Sequence, residues 1–87
     1  MKGKVYRILN NFIEENDLKT ELLPNDTFKY KAKFKPNETL LLKSGETSFI
    51  LALTQKEFTI VENKGCDLLI SQLKKKLFEA GLTYVHN

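Results

Sequence analysis

The sequence is poor in several residue types that catalytic and metal sites rely on. Its single cysteine, Cys66, excludes an intrachain disulfide and a cysteine-rich metal centre. Its single histidine, His86, has no second histidine and no nucleophile to act with, so neither a histidine metal site nor a catalytic triad is predicted. Of the 14 basic residues only Arg7 is arginine, the residue that bidentate phosphate and base contacts favour.

Long apolar runs are also missing. The longest, Phe49–Leu53, is far shorter than the roughly 20 apolar residues that span a bilayer. The opening stretch Met1–Arg7 is polar and lacks the apolar core of a signal peptide. We therefore expect a cytoplasmic location and no membrane partner.

No set of residues with complementary catalytic roles can be assembled from the chain. There is no glycine-rich phosphate loop, and the acidic residues are typical of a solvated surface. Cys66 falls on the apolar side of a predicted helix, which favours a buried structural thiol over a reactive one. The sequence therefore predicts a protein that is not an enzyme, with no catalytic residue, no cofactor and no metal.

What remains is an ordinary globular composition in one domain covering residues 1–87. Hydrophobic residues make up 41% and charged residues 29% of the chain. The net charge is +3, which permits a nucleic-acid partner without arguing strongly for one.

Two amphipathic helices are predicted near the ends of the chain. The first covers about Lys2 to Asn16, with Val5, Ile8, Leu9, Phe12 and Ile13 on one face. The second presents Cys66, Leu69, Ile70, Leu73, Leu77 and Ala80 on one face. Gly81 is placed to adopt the left-handed cap conformation, so the second helix should end at about Ala80.

Between the helices the pattern changes to strands. Residues 27–35 alternate apolar and basic side chains, and Leu40–Leu42, Phe49–Leu53 and Glu57–Glu62 follow, separated by turn residues. Asp17–Asp26 is interpreted as a connector. The predicted fold class is α+β, a four-stranded antiparallel meander flanked by an N-terminal and a C-terminal helix, both on one face.

The strand register can be predicted by requiring the apolar residues to share one face. The pairs are Phe34–Leu40, Ala32–Leu42, Leu42–Phe49, Leu40–Leu51, Leu51–Ile60 and Leu53–Phe58. The inner face then collects Phe28, Tyr30, Ala32, Phe34, Leu40, Leu42, Phe49, Leu51, Leu53, Phe58 and Ile60. The outer face carries a row of Lys33, Leu41, Ile50 and Val61, with Ala52 and Thr59 beside it.

The first candidate functional surface is apolar. With both helices covering the inner face, Leu41, Ile50 and Val61 on the outer face have no predicted cover, and Leu68 and Phe78 fall on the exposed side of the second helix. Clustered exposed apolar residues often mark protein interfaces. The sequence therefore favours an interaction or regulatory module that binds a protein partner or itself as a homodimer.

The second candidate surface is basic. Lys29, Lys31, Lys33 and Lys35 share one side of the predicted first strand, with Lys43 nearby. One interpretation is edge protection, because lysine on an edge strand blocks unwanted pairing. The other is a track for nucleic-acid phosphates, although single-strand binders usually interleave aromatics on the same face. Nucleic-acid binding is accordingly the alternative function.

Overall fold

The computed structural model describes residues 3–31 and 33–86. The elements, in chain order, are α1 Lys4–Glu15, β1 Lys19–Leu23, β2 Glu38–Ser44, β3 Thr47–Leu53, β4 Glu57–Lys64, α2 Asp67–Glu79 and β5 Thr83–Tyr84. The strands form one sheet in the order β1-β2-β3-β4-β5, antiparallel up to β4, with β5 parallel to β4. This confirms the α+β class and the helix-first, helix-last meander. The short fifth strand is an addition that the sequence did not predict.

The predicted first helix is confirmed as α1 over the described residues; its predicted first residue, Lys2, lies outside them. Leu9 and Phe12 are buried on its apolar face. At its end the Asn16 backbone N–H donates to the Phe12 carbonyl, and Asp17 adopts a left-handed φ of 52°. The left-handed conformation of Asp17 reverses the chain direction directly after α1, so β1 begins at Lys19.

The first strand lies in a different segment from the one predicted. β1 occupies the stretch interpreted as a connector, and four of its five residues are exposed. Residues 27–35 contain no strand among those described, so the predicted first strand is wrong. The predicted pair Phe34–Leu40 is wrong with it, since Leu40 pairs with Leu22. Leu42 pairs with Thr20, and Ala32, its predicted partner, lies outside the described residues.

The rest of the register agrees with the prediction. The structure has the pairs Leu40–Leu51, Leu42–Phe49, Leu51–Ile60 and Leu53–Phe58, and it also pairs Leu41 with Ile50. The β3–β4 register shifts between Phe49 and Leu51. The shift is a bulge, which bends β4 and interrupts its ladder.

Both helices pack on the inner face, as predicted. The core cluster joins helical residues to inner-face strand residues and consists of Leu9, Phe12, Leu18, Leu42, Phe49, Leu51, Leu53, Phe58, Cys66, Ile70, Leu73, Leu77 and Leu82. Neither helix among the residues described has the length and apolar character needed to cross a bilayer.

The second helix ends as its sequence predicts. Gly81 has a φ of 97°, and the Leu82 backbone N–H donates to the Leu77 carbonyl over 3.0 Å. This is the Schellman arrangement, which satisfies a carbonyl that the helix leaves unpaired. The tail then joins the sheet, with Thr83 N–H donating to the Lys56 carbonyl and Val85 N–H to the Phe58 carbonyl.

Candidate interaction surfaces

A loop covers part of the outer face of the sheet. Between β1 and β2 the chain runs back across β2, where the Thr39 hydroxyl donates to Asn25 Oδ1 over 3.2 Å. Asn25 Nδ2 donates to the Asn37 carbonyl, and Asn37 N–H donates to the Leu53 carbonyl over 2.7 Å. We call residues 24–37 the outer loop. These contacts close it onto the sheet face opposite the helices.

The outer loop is held by its own apolar side chains. Phe34 is buried, and its ring centroid lies 5.1 Å from that of Tyr30. Phe34 is not a member of the core cluster that the helices cover. The alternation seen in the sequence corresponds to burial: Phe28 and Tyr30 are half-buried and Phe34 is buried, whereas the lysines between and after them are exposed. The alternation arises because the loop packs on the sheet; the described loop residues do not pair as a strand.

The predicted row of Lys33, Leu41, Ile50 and Val61 on the outer face is buried at Ile50. Ile50 is 7% exposed, and Thr39, Ala52 and Thr59 beside it are fully buried. The expectation that this row lacks cover is wrong at Ile50, because the predicted fold left no segment to cover it. Leu41 and Val61 are half-buried, and Lys33 lies in the outer loop, outside the sheet. A partner contact at Leu41, Ile50 or Val61 stays a prediction.

Among the described residues, three large apolar side chains project into solvent. Leu68 is 73% exposed and Phe78 74%, both on α2, and Leu22 of β1 is 68% exposed. Leu68 and Phe78 are separated by ten residues, about 15 Å along a helix axis, with Lys75 between them on the outward side. We call Leu68 and Phe78 the α2 pair; their exposure is the part of the predicted apolar surface that the structure brings to solvent.

The lysines of the outer loop are all exposed. Lys29, Lys31, Lys33 and Lys35 are not on an edge strand, so the edge-protection interpretation is wrong. Lys33 and Lys35 line one recess together with Lys56 of the β3–β4 turn. The structure does not bring Lys43 to this recess. Lys43 lies at the opposite end of β2, paired with Lys19.

The side chains with reactive chemistry are placed apart. Cys66 is 3% exposed at the start of α2, where its backbone N–H donates to Asn63 Oδ1 over 2.8 Å. His86 is exposed and lies edge-on to the Tyr84 ring. In residues 3–31 and 33–86 no group of three or more His, Cys, Asp and Glu side chains is arranged to hold a metal ion.

One polar contact joins α1 to the sheet and has no local sequence signal. The Tyr6 hydroxyl donates to the Glu38 carboxylate, 32 residues along the chain. This hydrogen bond, with burial and the negative charge of Glu38, raises the pKa of Tyr6 to about 12. No spacing rule relates residues so far apart, so the sequence could not have predicted the pair.

The sheet has two edges of different character. β1 is continuous with β2 over five residue pairs, with no bulge. β4 is bulged and is covered at Glu57 and Phe58 by β5. Its far end carries Glu62 and Lys64, which form a salt bridge 4.0 Å long. A bulge and a covering strand protect an edge from further pairing. β1 has neither among the described residues, so it is the more accessible edge.

Comparisons with known proteins do not assign this arrangement. No protein-family model, no curated protein and no solved structure matches the chain.

Proposed function

We propose that the protein is a small non-enzymatic interaction or regulatory module that works by contact with another protein chain, in the first instance as a homodimer. The observation that carries the proposal is the exposure of three large apolar side chains: Leu22 and the α2 pair. Elsewhere among the described residues the large apolar side chains are buried or half-buried. Covering the three remaining side chains would release water from apolar surface, which favours association.

Sedimentation velocity over a concentration series tests this proposal. We expect the wild-type protein to shift from monomer to dimer as its concentration rises. A monomer at every concentration would contradict the homodimer.

The α2 pair can be tested separately with Leu68→Ser/Phe78→Ser. Both side chains are exposed, so the free energy of unfolding should change by no more than about 0.5 kcal/mol for each substitution. If this variant loses the dimer, the α2 pair forms the self-contact. If it keeps the dimer, the α2 pair is left to bind a different protein.

Nucleic-acid binding is the second candidate function. It is supported by the convergence of Lys33, Lys35 and Lys56 on one recess, beside two further exposed loop lysines, Lys29 and Lys31. Such a cluster would neutralise backbone phosphates without reading sequence. The inward-facing aromatic rings of the loop offer no stacking platform for bases, which makes this candidate the weaker one.

Fluorescence anisotropy with labelled single-stranded and duplex oligonucleotides tests the alternative. Binding that weakens steeply with salt and is lost in Lys33→Glu/Lys35→Glu would support it. Lys75→Glu/Lys76→Glu on α2 is the matched control, since it makes the same charge change away from the recess. Equal affinity in both variants, or no binding at low salt, would reject a site at the recess.

A further inference from the structure

We propose that two copies of the chain pair antiparallel through β1, giving one continuous ten-stranded sheet across a two-fold axis. The register sets Thr20 opposite Thr20 of the second copy and Lys19 opposite Glu21 of the second copy. This inference rests on the proposed function, because it names the partner as a second copy and assigns the contact to the β1 edge.

The first argument is the state of the edge. Within residues 3–31 and 33–86, β1 has a neighbouring strand on one side alone, so its outward backbone groups have no strand to pair with. An edge whose outward backbone groups are unpaired is a template for strand addition. β4, at the other side of the sheet, is bulged and partly covered by β5. The opening for a new strand is therefore at β1.

The second argument is the charge pattern on β1. Lys19 faces Lys43 of β2, a like-charged pair directly across the ladder. Glu21 faces Leu41. In the part of the chain that the structure describes, neither Lys19 nor Glu21 takes part in a salt bridge. A neighbouring strand could therefore supply each of them with a salt-bridge partner.

The third argument is that two-fold symmetry restricts the register. Opposite residues of an antiparallel pair point to the same face of the sheet, whereas consecutive residues point to opposite faces. In a two-fold symmetric pair, one residue of β1 must therefore lie on the axis, opposite the same residue of the second copy. Centring on Lys19 or on Glu21 sets like charges against each other. Centring on Leu22 sets Thr20 against Pro24, and centring on Leu23 sets Leu22 against it; Pro24 has no backbone N–H to donate. Centring on Thr20 avoids both costs.

The Thr20-centred register also matches the two faces of the sheet. Lys19 and Glu21 lie on the outer face, so two Lys19–Glu21 ion pairs form there, one on each side of the axis. Leu22 shares the inner face with Leu40. It would then lie opposite Leu18 of the second copy, a member of the core cluster, so the exposed Leu22 side chain would gain apolar cover.

Charge reversal tests the inference, with circular dichroism confirming that each variant is folded. In Lys19→Glu, a glutamate at position 19 faces Glu21 of the second copy at each of the two pairs. In Glu21→Lys, Lys19 faces a lysine at position 21 of the second copy at each pair. We expect each variant to raise the dimer dissociation constant at least about tenfold, because attraction becomes repulsion twice in one interface. The doubly exchanged variant Lys19→Glu/Glu21→Lys should return to within about threefold of wild type.

Mixing the two single variants gives the sharpest result. Each alone should be mainly monomeric, but together they match charge at both pairs and should form a heterodimer. Lys29→Glu, with the same charge change on the outer loop, is the control and should dimerise like wild type.

The outcomes separate the two proposals. A wild-type dimer that persists unchanged in both single variants overturns β1 pairing and leaves the homodimer intact on another surface. Single variants that dissociate without recovery in the exchanged variant or in the mixture overturn the Thr20-centred register. A wild-type protein that is monomeric throughout overturns the homodimer and the β1 pairing together.

Discussion

Two buried threonines on the outer face are in the same row of the sheet but in different states. Thr39 and Thr59 both lie opposite Ala52, one on each side of it. The Thr39 hydroxyl donates to Asn25 of the outer loop. The Thr59 hydroxyl is buried and has no hydrogen-bond partner among the described residues. A buried hydroxyl without a partner loses its hydration and gains nothing in return.

Valine at these two positions should therefore have opposite effects. We expect Thr59→Val to raise the free energy of unfolding by about 1 kcal/mol, because it removes an unpaired hydroxyl and keeps the shape. Thr39→Val should lower it by about 1 kcal/mol, because Asn25 loses its donor. Urea unfolding of the two variants checks both signs. The same sign in both would show that pairing of the hydroxyl does not decide the outcome.

Tyr6 should make stability depend on pH in the alkaline range. Its pKa in the folded protein is about 12, above the ordinary value of 10.0, so the folded state holds this proton more tightly than the unfolded state. The stabilisation is complete below pH 10 and is lost as the pH rises toward 12.

The comparison of wild type with Tyr6→Phe isolates this contribution. Near neutral pH we expect the variant to be less stable by about 1 kcal/mol, a value reduced by the partial solvent exposure of the pair. The difference should shrink as the pH rises through the folded pKa. A difference that is constant with pH would contradict the Tyr6–Glu38 hydrogen bond.

At the scale of elements, the outer loop packs on the sheet as a third layer, and its described residues, 24–31 and 33–37, form no helix or strand. One side of it faces the sheet and the other faces water, which produces the same two-residue alternation as a half-buried strand. This is why residues 27–35 were predicted as a strand. β1 has the opposite property, since an exposed edge strand carries little apolar signal. Pairing with β2 decides its conformation, and that partner is not visible in the local sequence.

Phe34→Ala tests how the outer loop is anchored. Phe34 is buried outside the helix-covered core, so its loss should release the loop and leave the inner core folded. We expect faster tryptic cleavage after the loop lysines, with the helical circular dichroism spectrum retained. Asp26→Ala, at an exposed loop position that is not a tryptic site, is the control for a change in loop sequence. Unchanged cleavage in Phe34→Ala would mean that the loop is held by its hydrogen bonds alone.

The helices and β2–β4 were predictable because each combines a clear period with flanking turn residues. Helical periodicity also identified Leu68 and Phe78 as exposed, and the structure agrees. The burial of Ile50 could not be predicted, because a strand at residues 27–35 would have lain within the sheet and left the outer face uncovered. The Tyr6–Glu38 contact and the β5 pairing depend on distant segments meeting, which single-chain periodicity does not encode.

For the whole molecule, dimerisation would tie stability to concentration. A partner that binds the folded state and not the unfolded state raises the free energy of unfolding by mass action. The midpoint of thermal unfolding should therefore rise with wild-type protein concentration. In Lys19→Glu the midpoint should be nearly independent of concentration over the same range. Calorimetry on both proteins checks this, and equal concentration dependence would argue against a contact at β1.

The distribution of tyrosine gives the molecule a set of internal reporters. The chain has no tryptophan and three tyrosines, so tyrosine dominates its intrinsic fluorescence. Tyr6 lies where α1 meets β2, Tyr30 lies in the outer loop, and Tyr84 lies in β5, 4.0 Å beneath the Lys74 ammonium. Each ring thus belongs to a different layer or end of the fold. Variants that keep one tyrosine at a time would follow the detachment of helix, loop and terminal strand separately, without any attached dye.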